Sequence, residues 1–158
     1  MQNRPPYSLL RQNYPDSASV PSAELWQWIG HPKNDDDPKW HNTCAIRVSL
    51  ALLGAGLQLP HGFLTVQAGK YKGRKIEIKQ EALADYLATV WGPPERFATA
   101  LLEERVRHQR GIIRFVNLWG PFDPQGHIDL IDGVRWSRVG CEGRCYTQAV
   151  ESWFWPCP

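Results

Sequence analysis

No run of apolar residues in this chain approaches the roughly 18 that a helix needs to cross a bilayer. A cleavable leader is missing too: the stretch from Met1 to Pro21 is polar and holds Pro5, Pro6, Pro15 and Pro21. Membrane insertion is therefore not expected. If the protein works outside the cytosol where it is made, export is expected without a signal peptide. An excess of one charge is also absent. Lys and Arg number 18 against 16 Asp and Glu, a net charge of +2, so nucleic acid is not an expected partner. The one basic cluster, Lys70-Tyr71-Lys72-Gly73-Arg74-Lys75, reads first as a solvated turn and second as a weak polyanion contact. Internal repeats and low-complexity linkers are lacking, and 158 residues with 42 % hydrophobic content suit one domain, 1–158, with a real core.

Metal-ligand spacing is the next absence. Of four cysteines, Cys141 and Cys145 have three residues between them, with no further Cys or His nearby to complete a zinc set. A short disulfide loop is the better reading, although spacing alone does not establish its geometry. Such a bond implies an oxidising compartment. Cys157 has no evident partner, and Asp35-Asp36-Asp37 reads as a solvated loop rather than a metal site. No metal or cofactor is expected. What the chain has in quantity is tryptophan, eight residues, read as core and rim filling or, for a few, as the lining of a substrate groove.

Periodicity and punctuation predict an α+β fold, with helices first and a small antiparallel sheet later. Residues 22–29 read as a short helix with Ser22 as cap and Gly30 as stop. A second helix is predicted from about Thr43 to Ala55, capped by Asn42 or Thr43 and apolar nearly all round, hence buried. Ile76-Glu77-Ile78 suggests a short strand, Gln80–Trp91 a helix ended by Gly92-Pro93-Pro94, and Glu95–Arg107 a further helix. Residues 111–119 and 126–131 read as strands, with Asp132-Gly133 as a turn. Another strand is expected near Cys145, before the aromatic segment Trp153-Phe154-Trp155.

Two residues carry the chemistry. Cys44 falls in the first turn of the second helix, where unpaired N–H groups and the helix dipole favour an anion such as a thiolate. A cysteine nucleophile needs a base, and the base needs an orienting group. His127, in Gly126-His127-Ile128-Asp129-Leu130, is the best-placed histidine: a strand holds its ring, and Gly126 leaves space beside it. His41 and His61 are loop candidates; His31 and His108 read as surface residues. A cysteine at a helix start followed by a histidine on a later strand is the papain-type order. Each residue alone is more often structural, and it is their combination that points to a Cys–His hydrolase.

The segment Asn42-Thr43-Cys44-Ala45-Ile46-Arg47-Val48-Ser49 resembles the nucleophile motif of the type VI secretion amidase effectors, family 4. Gly111-Ile112-Ile113, followed by Gly126-His127-Ile128-Asp129-Leu130-Ile131-Asp132-Gly133, resembles that family's histidine-bearing strand pair, and the Cys141/Cys145 pair resembles its short disulfide loop. The resemblance spans about residues 40 to 145. It implies a papain-like NlpC-type fold and cleavage of the peptidoglycan stem peptide between D-glutamate and meso-diaminopimelate. It also implies injection into a rival's periplasm by the secretion machinery, and a cognate immunity protein that blocks the site. One position departs from the pattern. The family's histidine-orienting acid lies between the loop cysteines, where this chain has Gly143. Asp129, two residues along the strand from His127 and so on its face, is the first choice for that role. Glu142 stays open as the alternative, and Asp132 reads as a turn residue. Other readings are a different papain-fold enzyme, such as a deamidase or transglutaminase-like toxin, and a non-catalytic wall-binding module.

Overall fold

The apolar stretch after Asn42 folds as helix α3, Cys44–Gly54, and every residue from Cys44 to Leu53 is buried. Such a helix needs cover on all sides, and the chain supplies it. A computed structural model describes residues 2–33, 37–60, 64–118, 125–135, 137–138 and 148–158, positions 137 and 138 in their backbone only. Before α3 come α1 (Tyr7–Asn13) and α2 (Ser22–Trp28). After it come a two-stranded hairpin of β1 (Leu64–Thr65) and β2 (Lys75–Ile76), then α4 (Gln80–Trp91), β3 (Glu95–Ala98) and α5 (Leu102–Val106). The chain closes with β4 (Arg110–Val116), β5 (His127–Asp132), β6 (Ser137–Arg138) and β7 (Glu151–Pro156). The five later strands form one sheet in the order β3-β7-β4-β5-β6, antiparallel throughout.

The sheet is buried on both faces, as the split of neighbouring residues between two cores shows. Ile112, Leu130 and Trp155 pack with Leu10, Val48, Leu52 and Leu87 of α1, α3 and α4. Ile113, Ile131 and Phe154 pack instead with Phe97, Leu102 and Val106. The remaining side of α3 sends Ile46, Leu50 and Leu53 against Leu25 and Trp26 of α2 and against Val66 and Ile76 of the hairpin. Of the basic cluster, Lys70–Arg74 lies in that hairpin's connection and Lys75 opens β2; Gly69 and Gly73 adopt positive φ there, and Lys72 N–H donates to the Gly69 carbonyl.

Two expectations change. Residues 95–107 are not one helix. Glu95–Ala98 instead pair with Phe154 to Glu151 of β7, with Phe97 turned into the core, and α5 begins only at Leu102 after a 3₁₀ turn, Thr99–Leu101. The physical reason is that β7 leaves a row of backbone donors and acceptors along its outer edge, and this segment satisfies them. Thr99 adds a hydroxyl contact to Ser152 at 2.8 Å. The N-terminus, read as plain polar chain, contains α1, whose Tyr7 and Leu10 are buried. It is tied down by Gln2 N–H to the Val90 carbonyl, Tyr7 N–H to the Pro158 carbonyl, and Arg4 to the carbonyls of Pro156 and Trp91. The aromatic segment is itself strand β7; residues 139–147, where another strand was expected to begin, lie outside the described residues.

Gly111 shows how closely β4 and β7 approach. A Cβ there would overlap the Trp155 carbonyl oxygen. Gly111→Ala is expected to cost about 1–3 kcal/mol, the range for overpacking a well-packed core, read as a lower urea midpoint with an unchanged slope.

Candidate active site

Helix α3 begins at Cys44, and its start is pinned from several directions. The Asn42 side-chain oxygen accepts the Cys44 N–H at 3.3 Å. Thr43 occupies the cap position without a side-chain capping bond. Its hydroxyl instead receives Arg47 Nε at 3.1 Å and lies 3.0 Å from Ser22 Oγ, which donates to the His41 carbonyl. The helix start is thereby fastened to the first residue of α2. Arg47 is buried one turn into α3, and its Nη1 donates to the Pro15 carbonyl at 2.8 Å.

His127 opens β5, opposite Phe115 of β4 in register. Its Nε2 lies 2.9 Å from Asp129 Oδ2. Asp129 Oδ1 accepts the Leu130 N–H at 2.8 Å. With Nε2 engaged by the carboxylate, Nδ1 is the nitrogen left for Cys44, which lines the same cavity. The His127 side chain keeps 15 % of its exposure and Asp129 only 2 %, so the ring can meet a substrate while the carboxylate cannot. Burial by itself would lower the His127 pKa. The negative charge on Cys44 and the hydrogen bond to Asp129 outweigh it and leave the imidazole pushed up to about 10.

Cys44, His127, Asn42, Arg47 and Tyr14 line one cavity of about 120 Å³. A wider cleft of about 710 Å³, lined in part by Trp28, Tyr71 and Val20, also touches Tyr14 but includes neither Cys44 nor His127. The sequence-predicted residues Cys44, His127 and Asp129 thus come together. Glu142, Cys141, Cys145 and His61 lie outside the described residues. His31 bonds the Thr65 carbonyl at 2.7 Å, and Asp132 Oδ1 accepts the N–H groups of Val134 and Arg135 in the turn after β5. Gly126 serves a different purpose from the one expected. Rather than leaving open space, it lets the Gln80 side chain and the Phe115 carbonyl approach: an added Cβ would stand 2.7 Å from Gln80 Nε2 and 2.8 Å from that carbonyl oxygen. Tyr14 and Arg47 were missed as site residues. The one available signal for Tyr14 is the helical spacing of Tyr7, Leu10 and Tyr14 within a segment that reads as polar and proline-containing.

A sequence profile of the type VI secretion system (T6SS) amidase effector protein 4, Tae4, matches residues 40–155. The chain belongs to this family. Among solved structures, the fold is similar to Tae4 of Enterobacter cloacae (TM-score 0.74, 21 % identity, 99 % of this chain and 100 % of that one). The same effector in its Tae4–Tai4 effector–immunity complex gives a TM-score of 0.75 at 22 % identity over 98 % and 99 % of the two chains. Tae4 of Salmonella typhimurium, in complex with the Enterobacter cloacae immunity Tai4, gives 0.70 at 19 % over 98 % and 100 %. No match was found among curated proteins. At these identities the structures speak to the fold, and the α+β, papain-like NlpC-type arrangement is that of the Tae4 structures.

The electrostatics of this Tae4-family site give a titration test. The His127 imidazole, followed by NMR, is expected to titrate well above its ordinary 6.5. Both partners raise it through negative charge and hydrogen bonding, so Asp129→Asn and Cys44→Ser should each move the midpoint down. A wild-type midpoint at or below 6.5 would contradict the geometry.

Proposed function

We propose that this protein is a peptidoglycan amidase toxin. It cleaves the stem peptide between D-glutamate and meso-diaminopimelate, with Cys44 as nucleophile, His127 as base and acid, and Asp129 as the group that orients His127. Family membership supports the amidase activity. The observation that carries the mechanism is the meeting of Cys44 and His127 in one small cavity, with the far nitrogen of the ring held 2.9 Å from a buried carboxylate.

The steps follow from that geometry. Cys44 Sγ, its proton held on His127, attacks the amide carbonyl and forms a C–S bond. The Cys44 N–H donates to the Asn42 side chain at a long 3.3 Å, and once that side chain swings aside it can donate to the developing oxyanion. Collapse breaks the C–N bond while His127 gives its proton to the leaving amine. Water then attacks the thioester, passes a proton to His127 and releases the carboxylate product together with the Cys44 thiolate. Asp129 moves no proton; it keeps Nε2 occupied so that Nδ1 faces the sulfur.

The same reading supplies the partners. Relatives in Enterobacter cloacae and Salmonella typhimurium were solved as complexes with the immunity protein Tai4, which supports a cognate immunity protein for this chain. Delivery by the secretion machinery into a target cell's periplasm, where the substrate lies, completes the proposal.

Cys44→Ala and His127→Ala are expected to lower hydrolysis of purified peptidoglycan by at least about a thousandfold, with unchanged circular dichroism. Mass spectrometry of the fragments should show new D-glutamate carboxyl and diaminopimelate amine ends. Retained activity in Cys44→Ala would sink the cysteine mechanism. Ends at another bond would sink the assignment of the cleaved bond, and a mass change without chain cleavage would favour a deamidase.

A further inference from the structure

Arg47 is only 4 % exposed, yet it lines the cavity that holds Cys44 and His127. It stands three residues after Cys44 in α3, so the two side chains share one side of the helix. A guanidinium stays charged at any working pH, so the cavity wall carries a permanent positive charge. Both acceptors bonded to it are neutral. Nε donates to the Thr43 hydroxyl at 3.1 Å and Nη1 to the Pro15 carbonyl at 2.8 Å. A guanidinium carries five N–H groups, so three remain, among them both on Nη2. Among the described residues none of the three has an acceptor, and no carboxylate pairs with Arg47. Two acids of the same region are engaged elsewhere, Asp129 by His127 and Asp16 by Arg11.

A buried cation without a counter-charge is unfavourable. The side-chain polar atoms that are sealed in without a partner, among the described residues, are Tyr7 Oη and Trp91 Nε1. Arg47 Nη2 is not one of them, so it is open to the cavity that the residue lines. Forked donors, a fixed positive charge and no competing protein carboxylate are what recognition of a ligand carboxylate requires. The two bonds already made hold the guanidinium in place, so little side-chain freedom is left to lose when a ligand binds.

The proposed substrate offers one such group close to the point of attack. D-Glutamate is joined to diaminopimelate through its side-chain carboxyl, so its α-carboxylate is free, four bonds from the carbonyl that Cys44 attacks. In the intact stem, the diaminopimelate carboxyl beside the leaving amine is itself in amide linkage to D-alanine. We propose that Arg47 is a specificity-determining residue, whose free N–H groups bind the α-carboxylate of D-glutamate and so seat the scissile carbonyl over Cys44. This rests on the reading of the cleaved bond given above. It makes the enzyme selective for stems with a free α-carboxylate over stems in which that group is an amide.

The test uses two synthetic tetrapeptides, L-Ala–γ-D-Glu–meso-diaminopimelate–D-Ala with the D-glutamate α-carboxylate free or amidated. Wild type is expected to cleave the free form with a kcat/KM about 10- to 100-fold higher, mostly through KM. Arg47→Gln should bring the two substrates within about threefold of each other, and Arg47→Lys should keep part of the preference. A purely structural role would slow both substrates by one factor and leave their ratio unchanged. Equal cleavage of the two by wild type would overturn the proposal, as would an undiminished preference in Arg47→Gln. If Arg47→Gln fails to fold, the guanidinium 15N NMR signals of Arg47 in the Cys44→Ala protein decide: they should shift with the free tetrapeptide and not with the amidated one, and unmoved signals overturn the proposal. Cleavage of neither tetrapeptide between D-glutamate and diaminopimelate would dismiss the assignment of the bond. Calorimetric binding to the Cys44→Ala protein would then decide for Arg47: tighter binding of the free form upholds it and equal binding removes it.

Discussion

Helix α3 is buried on every side, and the rest of the molecule is arranged around that requirement. A helix apolar all round has no face to give to water, so it must be enclosed by separate pieces of structure. Here the sheet with α1 and α4 closes one side, and α2 with the β1–β2 hairpin closes the other. The enclosure fixes the helix axis, and with it the place of Cys44 at the end of the helix that borders the small cavity. Positioning by a packed core is stiffer than positioning by a loop, because interiors are close-packed and resist small displacements. The same enclosure brings the N-terminal segment against the helix start, which is why residues far from the motif in sequence line its cavity.

The second constraint is electrostatic. A carboxylate as buried as Asp129 is costly unless its oxygens are satisfied, and the attraction of an opposite charge repays desolvation only with good geometry. His127 and the Leu130 N–H provide that geometry, and the Arg47 charge lies close enough to be felt. Arg47 itself is pulled below its ordinary pKa by burial, an effect opposed by Tyr14 and Asp129. The site is thus a compact set of groups, each of which would be unfavourable there alone. Removing a single member leaves the others with an unmatched buried charge. Substitutions within the set should therefore be non-additive, unlike substitutions in the surrounding apolar core.

The sequence was most readable where local chemistry and tertiary role coincide. Helix α4 was placed over Gln80–Trp91 because its apolar spacing and the Gly-Pro-Pro stop agree, and α3 was placed to within a residue at each end. Cys44 and His127 stood out because each lies in a motif with a clear element attached. Helix α1 was hidden because it is short, flanked by prolines and has no side-chain cap. Strand β3 was hidden because Glu95 and Arg96 are exposed and charged; only the edge of β7, a distant part of the chain, makes the segment a strand. Tyr14 and Arg47 could not be assigned to the site from one sequence, since their roles are contacts between segments. Gly126 was misjudged for a related reason: a glycine indicates close approach or open space equally well until its neighbours are known.

The size of the cavity bears on what can reach this chemistry. A volume of about 120 Å³ corresponds to roughly four waters at ~30 Å³ each, close to one peptide unit with its flanking carbons. A thin, extended stretch of chain fits a cavity of that size. A peptidoglycan stem is a short, flexible peptide of this kind. Arg47, which fastens the start of α3 through Thr43 and Pro15, is also one of the walls of the cavity. Selectivity and orientation are therefore coupled, and widening the cavity at Arg47 to admit larger substrates would loosen the helix start that carries Cys44.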